Sequence, residues 1–201
     1  MQILHPFPGS AHAYTDVIAT PDQYRPDHCP QCDAPQPLIG HGFYRRTVVD
    51  VEFDGTIRVR RYLCRACKRT VSLLPEFALP YLRFGVTVIS RFLNARLLEE
   101  QTLQAAAAAA AQPAMPYQRG QVWMRRFQRQ AAGVCAALTA VRMAPPAPSF
   151  AIRALRMLRS TGWIAAHRFL FAELRMHLLG WPAWLAPDGR AVTLRPVAPA
   201  G

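Results

Sequence analysis

Apolar and polar positions follow a strand-like pattern in three runs, 43–53, 57–63 and 69–74, with turn residues between them. Pro75 and Pro80 close this unit. Residues 1–27 contain four prolines and no clear period, which predicts an irregular N-terminal arm with little chemistry. Beyond Pro80 the period lengthens to that of a helix. Val86, Ile89, Phe92, Leu93 and Leu97 form one apolar stripe, predicting a helix over about 85–98. Thr102 can cap a second helix through Leu103 and the alanine run 105–111, which Pro113 and Pro116 stop. A third helix is expected to start near Pro116, a tolerated first-turn residue, with Gly120, Trp123, Met124, Phe127 and Ala131 facing inward. The stretch APPAPSF at 144–150 reads as a linker. Two more helices, about 150–160 and 163–180, precede an irregular tail with Pro182, Pro187 and Pro196.

Side-chain alternation also predicts a hairpin register. A two-residue turn at Asp54-Gly55 would set Asp50 against Val59, mixing charged and apolar residues on both faces. A three-residue loop, Asp54-Gly55-Thr56, pairs Phe53 with Ile57 and Val51 with Val59, and on the other face Glu52 with Arg58 and Asp50 with Arg60. In that register Arg58 and Arg60 are exposed cross-strand partners of carboxylates, a reading preferred to the alternative of nucleic-acid contact.

The cysteines add chemistry to this β unit. Cys29 and Cys32 stand in CPQC, Cys64 and Cys67 in CRAC, with thirty-one residues between the pairs. Each two-residue spacer makes a tight knuckle that aims both sulfurs inward. Two knuckles can therefore place four thiolates about 2.3 Å from a zinc ion. The hairpin supplies the long spacer, and the neighbouring Arg65, Lys68 and Arg69 favour thiolate. A lone pair of this kind would equally suit redox chemistry; two pairs joined by a hairpin predict one structural zinc. His28 and His41 are possible substitutes, but four thiolates already close the shell and leave no position for a catalytic water. Cys135, in an alanine-rich helical stretch, reads as a small core residue.

The fold class expected is α+β: a small antiparallel zinc ribbon of three strands, followed by a mostly α-helical helix-turn-helix region. The expected units are an arm at 1–27, a zinc ribbon at 28–80, a helix-turn-helix at 81–143, and a linker with C-terminal helices at 144–201.

Charge points to a partner. The 201 residues carry a formal net charge of +12, which attracts polyanions. Residues 1–100 hold twelve basic and ten acidic residues; residues 101–201 hold twelve arginines against Glu173 and Asp188 alone. On the third helix, Gln118, Arg119, Gln121, Arg125, Arg126 and Arg129 fall outside the apolar stripe, a set suited to phosphates and to base edges in the major groove of double-stranded DNA. Arg153, Arg156 and Arg159 form either a second phosphate-binding stripe or the solvated side of a helix. Trp163, Phe169, Phe171, Trp181 and Trp184 read as packing or a partner surface. No small-molecule substrate and no membrane is implied. The N-terminal residues lack a signal-peptide pattern, and residues 161–186 are too polar to span a bilayer. A cytoplasmic location is expected.

The order CPQC, HGFYRR, RVRRYLCRACKRTVSLLPEFALPY and WMRRF, covering about residues 28–130, resembles the transposase-type zinc-ribbon and helix-turn-helix proteins of bacteria, including a family of unknown function associated with mobile elements. That resemblance implies binding of element ends, with Trp123 and Phe127 in the core and Arg119, Arg125 and Arg126 at the DNA. A transposase of the DDE type also needs three carboxylates to hold two metals, whereas only Glu173 and Asp188 follow Glu100. The expectation is a non-enzymatic DNA-binding accessory or regulatory protein. The alternatives are an adaptor for a separate transposase or recombinase, and the remnant of a split transposase.

Overall fold

The computed structural model describes residues 1–17, 24–35 and 37–181. Its β part is a mixed sheet of four strands, in place of the three antiparallel strands expected. The strands are β1 (Gln2–His5), β2 (Leu38–Asp50), β3 (Phe53–Cys64) and β4 (Thr70–Pro75), in the order β1-β4-β3-β2. The β2–β3 and β3–β4 pairs are antiparallel, whereas β1 joins β4 in parallel.

The fourth strand corrects the reading of the N-terminal arm. Ile3 and Leu4 lie beside Leu73 and Leu74, and α1 (Ala11–Val17) follows, its Ala13 N–H donating to the Ser10 hydroxyl at 3.2 Å. Ala11 and Tyr14 are buried, and Tyr14 meets Phe7 and Phe77 edge to face. A four-residue strand held by a partner seventy positions away leaves no local period, so alternation does not reveal it.

The hairpin register also differs from expectation. Asp50 pairs with Phe53, the turn is Val51-Glu52, and Asp54-Gly55-Thr56 lies inside β3 opposite Val49, Val48 and Thr47. The Asp50 carboxylate accepts from the Val51 N–H at 2.9 Å and so braces the turn. Gly55 serves the sheet, because a Cβ there would come within 2.9 Å of the Phe53 ring. This register puts Val48, Ile57 and Val59, all buried, on one face with Leu74 and Phe77. It also removes the carboxylates expected opposite Arg58 and Arg60: Arg58 faces Arg45, and Arg60 faces Phe43.

At the far end of the sheet the opposite face is covered. Leu38, Tyr62, Cys64, Val71 and Leu73 pack there around Cys29. The first cysteine knuckle thus forms the lid of a small core of its own.

Five helices follow: α2 (Val86–Leu97), α3 (Leu103–Ala109), α4 (Tyr117–Leu138), α5 (Phe150–Thr161) and α6 (Trp163–Ala172). Thr102 caps α3 as its sequence suggests, accepting from the Ala105 N–H at 3.1 Å. One continuous core joins the helices, from Val86, Ile89, Phe92 and Leu93 of α2 through Trp123, Phe127 and Val134 of α4 to Leu155, Leu158 and Leu170. The last helix ends at Ala172, not near 180, and α5 and α6 are separated at Gly162, whose φ is +89°. The tail prolines expected at 182, 187 and 196 lie outside the described residues.

Gly120, an unfavourable residue inside a helix, has a packing reason. A Cβ there would stand 2.8 Å from the Phe92 ring and 3.4 Å from Leu103, so glycine lets α4 lie close on α2 and α3. Gly120→Leu is expected to lower the unfolding free energy by about 2 kcal/mol through overpacking, read as a lower urea midpoint with an unchanged slope.

Candidate metal centre and basic surfaces

The two cysteine pairs converge through matching knuckles. In the first, the Asp33 N–H donates to the Cys29 carbonyl at 2.8 Å and the Cys29 N–H to the Ala34 carbonyl at 3.1 Å. In the second, the Lys68 N–H donates to the Cys64 carbonyl at 3.0 Å and the Cys64 N–H to the Arg69 carbonyl at 2.9 Å. Asp33 and Lys68, each directly after the second cysteine of its pair, adopt φ values of +58° and +59°. This left-handed bend costs a non-glycine residue about 1–2 kcal/mol. The chain folds back tightly enough at each bend to turn both sulfurs the same way.

The four sulfurs lie within 4.8 Å of one another. Cys29 Sγ is 3.8 Å from Cys67 Sγ, and Cys32 Sγ is 3.7 Å from Cys64 Sγ. These separations are far beyond the roughly 2.05 Å of a disulfide. They match the edge, about 3.8 Å, of a tetrahedron of thiolates bound at about 2.3 Å from a central ion. The donor set and its spacing fit a chelated metal ion, with Cys29, Cys32, Cys64 and Cys67 as ligands. His28 and His41 stand outside the cluster.

The thiols are electrostatically unequal. Burial resists charge on Cys64, but the Cys67 and Ala66 N–H groups and the neighbouring thiols hold it down to about 7. At Cys32 the Ala34 N–H favours the thiolate, yet desolvation and the three other sulfurs push it up to about 11. A bound cation reverses that penalty by replacing the shared protons, so its affinity falls as pH falls.

The helical residues expected at DNA divide in two. Gln118, Arg119, Arg125 and Arg129 are exposed on α4, and Gln121 is partly so. The Arg119 guanidinium sits 5.4 Å from the centre of the Phe84 ring, and Arg125 Nε donates to the Gln121 carbonyl at 3.4 Å. Arg126 turns inward instead: its Nε donates to the Leu179 carbonyl at 2.8 Å and an Nη to the Gly180 carbonyl. A helical wheel places Arg126 with its neighbours, but the chain returning at 177–180 claims it.

A second inward-turned, partly buried arginine was not anticipated from the sequence. Arg46 donates to the carbonyls of Leu79 and Leu82. Between these clamps His177 is buried; its Nε2 bonds the Pro80 carbonyl at 2.8 Å, and its Nδ1 receives the Leu179 N–H at 3.1 Å. Both contacts suit only the neutral ring protonated at Nε2. Two acceptor-rich loops, 79–82 and 177–180, are thus tied to β2 and α4 by side chains that a hydropathy pattern places at the surface.

Other expected features resolve as packing. Cys135 is buried, with Sγ 3.4 Å from the Phe150 carbonyl. Trp163 and Phe169 pack on the helical core, and Trp181 lies near Phe171 and His177 with its N–H on the Arg175 carbonyl. The Arg153, Arg156 and Arg159 stripe remains at the surface: Arg156 and Arg159 are exposed, Arg156 bonds the Pro146 carbonyl, and the partly exposed Arg153 lies over Phe150. Trp184 is outside the described residues. Among those residues, no helix is long and apolar enough to cross a membrane.

No curated protein and no solved structure matches the chain. The model of one protein family does, from the first of the four cysteines to just past α3, leaving α4 to α6 outside the match. The matched segment is residues 29–112, and that family's description is "Domain of unknown function (DUF6431)".

Proposed function

We propose that this chain is a zinc-stabilised protein that binds double-stranded DNA without catalysing a reaction. In this reading α2, α3 and α4 act as a helix-turn-helix, with the N-terminal turns of α4 in the major groove. One observation carries the proposal: α4 exposes Gln118, Arg119, Arg125 and Arg129 and contains no carboxylate along its twenty-two residues. Phosphates are attracted to such a face regardless of sequence, while the glutamines and Arg119 suit adenine and guanine edges. Gln121 completes that set; Arg126 is withdrawn from it by its bonds to Leu179 and Gly180.

Zinc is the ion that four clustered thiols select over oxygen-seeking cations. Its part here is to fix the two knuckles, and with them the sheet against which the helices stand. The resemblance to transposase N-terminal regions supports an accessory or regulatory role at a mobile element. A recombinase gene beside this one would tie the protein to transposition.

A second reading, an adaptor for a separate transposase or recombinase, draws on Val141, Met143 and Phe150. These three apolar residues are exposed where α4 connects to α5, and Met143 is 89% exposed. Duplex titrations at several salt concentrations separate the two. If Arg119, Arg125 and Arg129 each meet a phosphate, their triple alanine variant flattens the slope of log affinity against log salt by about 2.7. Duplex affinity unmoved by that variant would favour the adaptor.

A further inference from the structure

The outer face of the β2–β3 hairpin is charged in a way that cross-strand pairing does not explain. Arg45 and Arg58 are directly opposite on the same face, and both are exposed. Like charges in that position weaken a sheet. Among the described residues, no carboxylate forms an ion pair with either. The nearest acidic residue along that face, Asp54, is already held by Arg83 at 2.8 and 2.9 Å.

The guanidiniums are also braced. Arg58 lies 4.3 Å from the centre of the half-buried Phe43 ring; Arg60, 5.0 Å from the same ring, is engaged besides, its Nη1 donating to the Gly42 carbonyl at 3.5 Å. Stacking on an aromatic ring fixes the plane of a guanidinium and leaves its fork free for an oxyanion. An oriented Arg58 fork directly across the strand pair from the exposed Arg45 places two cations side by side, which suits neighbouring phosphates of a polyanion.

This face is continuous with the start of α4. Val49, four residues along β2 from Arg45 and on the same face, is bridged to Phe84, and Arg119 lies over the Phe84 ring. A groove of about 380 Å³ lined by Val49, Arg83, Phe84, Pro116 and Arg119 lies where the end of β2 meets the start of α4. Four strand residues span about 14 Å, so one duplex can touch both basic surfaces.

We propose that the Arg45–Arg58 face of the hairpin is a second DNA contact, binding the phosphate backbone beside the segment that α4 enters. The proposal rests on the DNA-binding reading above and extends its footprint from the helix to the sheet. Its occupant is the duplex backbone, because two adjacent arginines with no carboxylate paired to them among the described residues complement a polyanion.

The test is Arg45→Glu in the full chain with zinc bound, titrated with a mixed-sequence thirty-base-pair duplex across a salt series. The change removes one cation and gives Arg58 a cross-strand partner. The melting temperature is therefore expected to stay or rise, while the salt slope flattens by about 1.8, two phosphate contacts being lost. Arg45→Ala should flatten it by about 0.9, again without loss of stability. If the triple variant of Arg119, Arg125 and Arg129 flattens the slope but Arg45→Glu does not, the sheet contact is wrong and the helix reading stands. If Arg45→Glu flattens it and the triple variant does not, the sheet contact stands and the helix reading fails. A wild-type chain without salt-dependent duplex binding overturns both, leaving the face to an acidic protein.

Discussion

Cys64→Ser is expected to yield protein with no stoichiometric zinc and a sheet that no longer folds at neutral pH. Structural zinc sites of four protein ligands contribute on the order of 10 kcal/mol of apparent binding free energy, comparable to the whole stability of an ordinary domain. The loss should be regional. Leu38, Tyr62, Val71 and Leu73 pack around Cys29, and this small core has no cover once the knuckles open. The helical core of Phe92, Leu93, Trp123 and Phe127 is separate from it. Hydrogen exchange checks this directly: amides of β2, β3 and β4 should lose protection while those of α2 and α4 keep it. Uniform loss, or none, would show that the metal does not serve the sheet in this way.

Acid should destabilise the protein well before its carboxylates titrate, through two buried histidines. Burial drives His167 down to about 3, helped by the proximity of His177 and opposed by the Ala78 backbone. His177 is driven down to about 4 by burial, against its bond to the Pro80 carbonyl, with Arg126 and Arg46 adding to the fall. Both folded-state values lie below the unfolded value of about 6.5. Above pH 6.5 neither state binds the proton. Below it the unfolded chain does and the folded chain does not, so stability falls until pH reaches about 3–4.

From pH 7 to pH 5 each ring costs about 2 kcal/mol by this linkage, and the pair about 4 kcal/mol. Weaker metal binding adds to the loss over the same range, so the two effects need separating. His167→Phe keeps the buried volume and removes one titrating ring, giving up only the ring's weak polar contact with the Ala78 backbone. Urea unfolding at pH 7 and pH 5 should show a pH dependence shallower by about 2 kcal/mol in the variant than in the wild type. Equal dependence in both would mean that His167 is protonated when folded, or exposed.

The residues that could be read from sequence are those whose role is local. Cysteines paired across two intervening residues announce their knuckles, Thr102 its cap, and the stripe at Val86, Ile89, Phe92 and Leu93 its helix. The parts that could not be read depend on distant chain. β1 exists because Leu73 and Leu74 offer it an edge. Arg126 and Arg46 turn partly inward because carbonyls from other segments come to them. The hairpin is the instructive intermediate case. Asp54-Gly55 has turn chemistry, and placing the loop there satisfies alternation and charge. The glycine serves instead to admit the Phe53 ring, and the turn falls on Val51-Glu52, which has no turn signature beyond the Asp50 carboxylate beside it. That shift converts Arg58 from a member of a neutral pair into one half of a like-charged one, and with it changes what the hairpin face can bind.

In the proposed function a metal ion joins Cys29, Cys32, Cys64 and Cys67, and X-ray absorption at the zinc edge reads that shell itself. Purified protein should contain one zinc per chain with four sulfur neighbours at about 2.3 Å. A shell containing nitrogen or oxygen, or protein that keeps its sheet after a strong chelator has removed all metal, would contradict it.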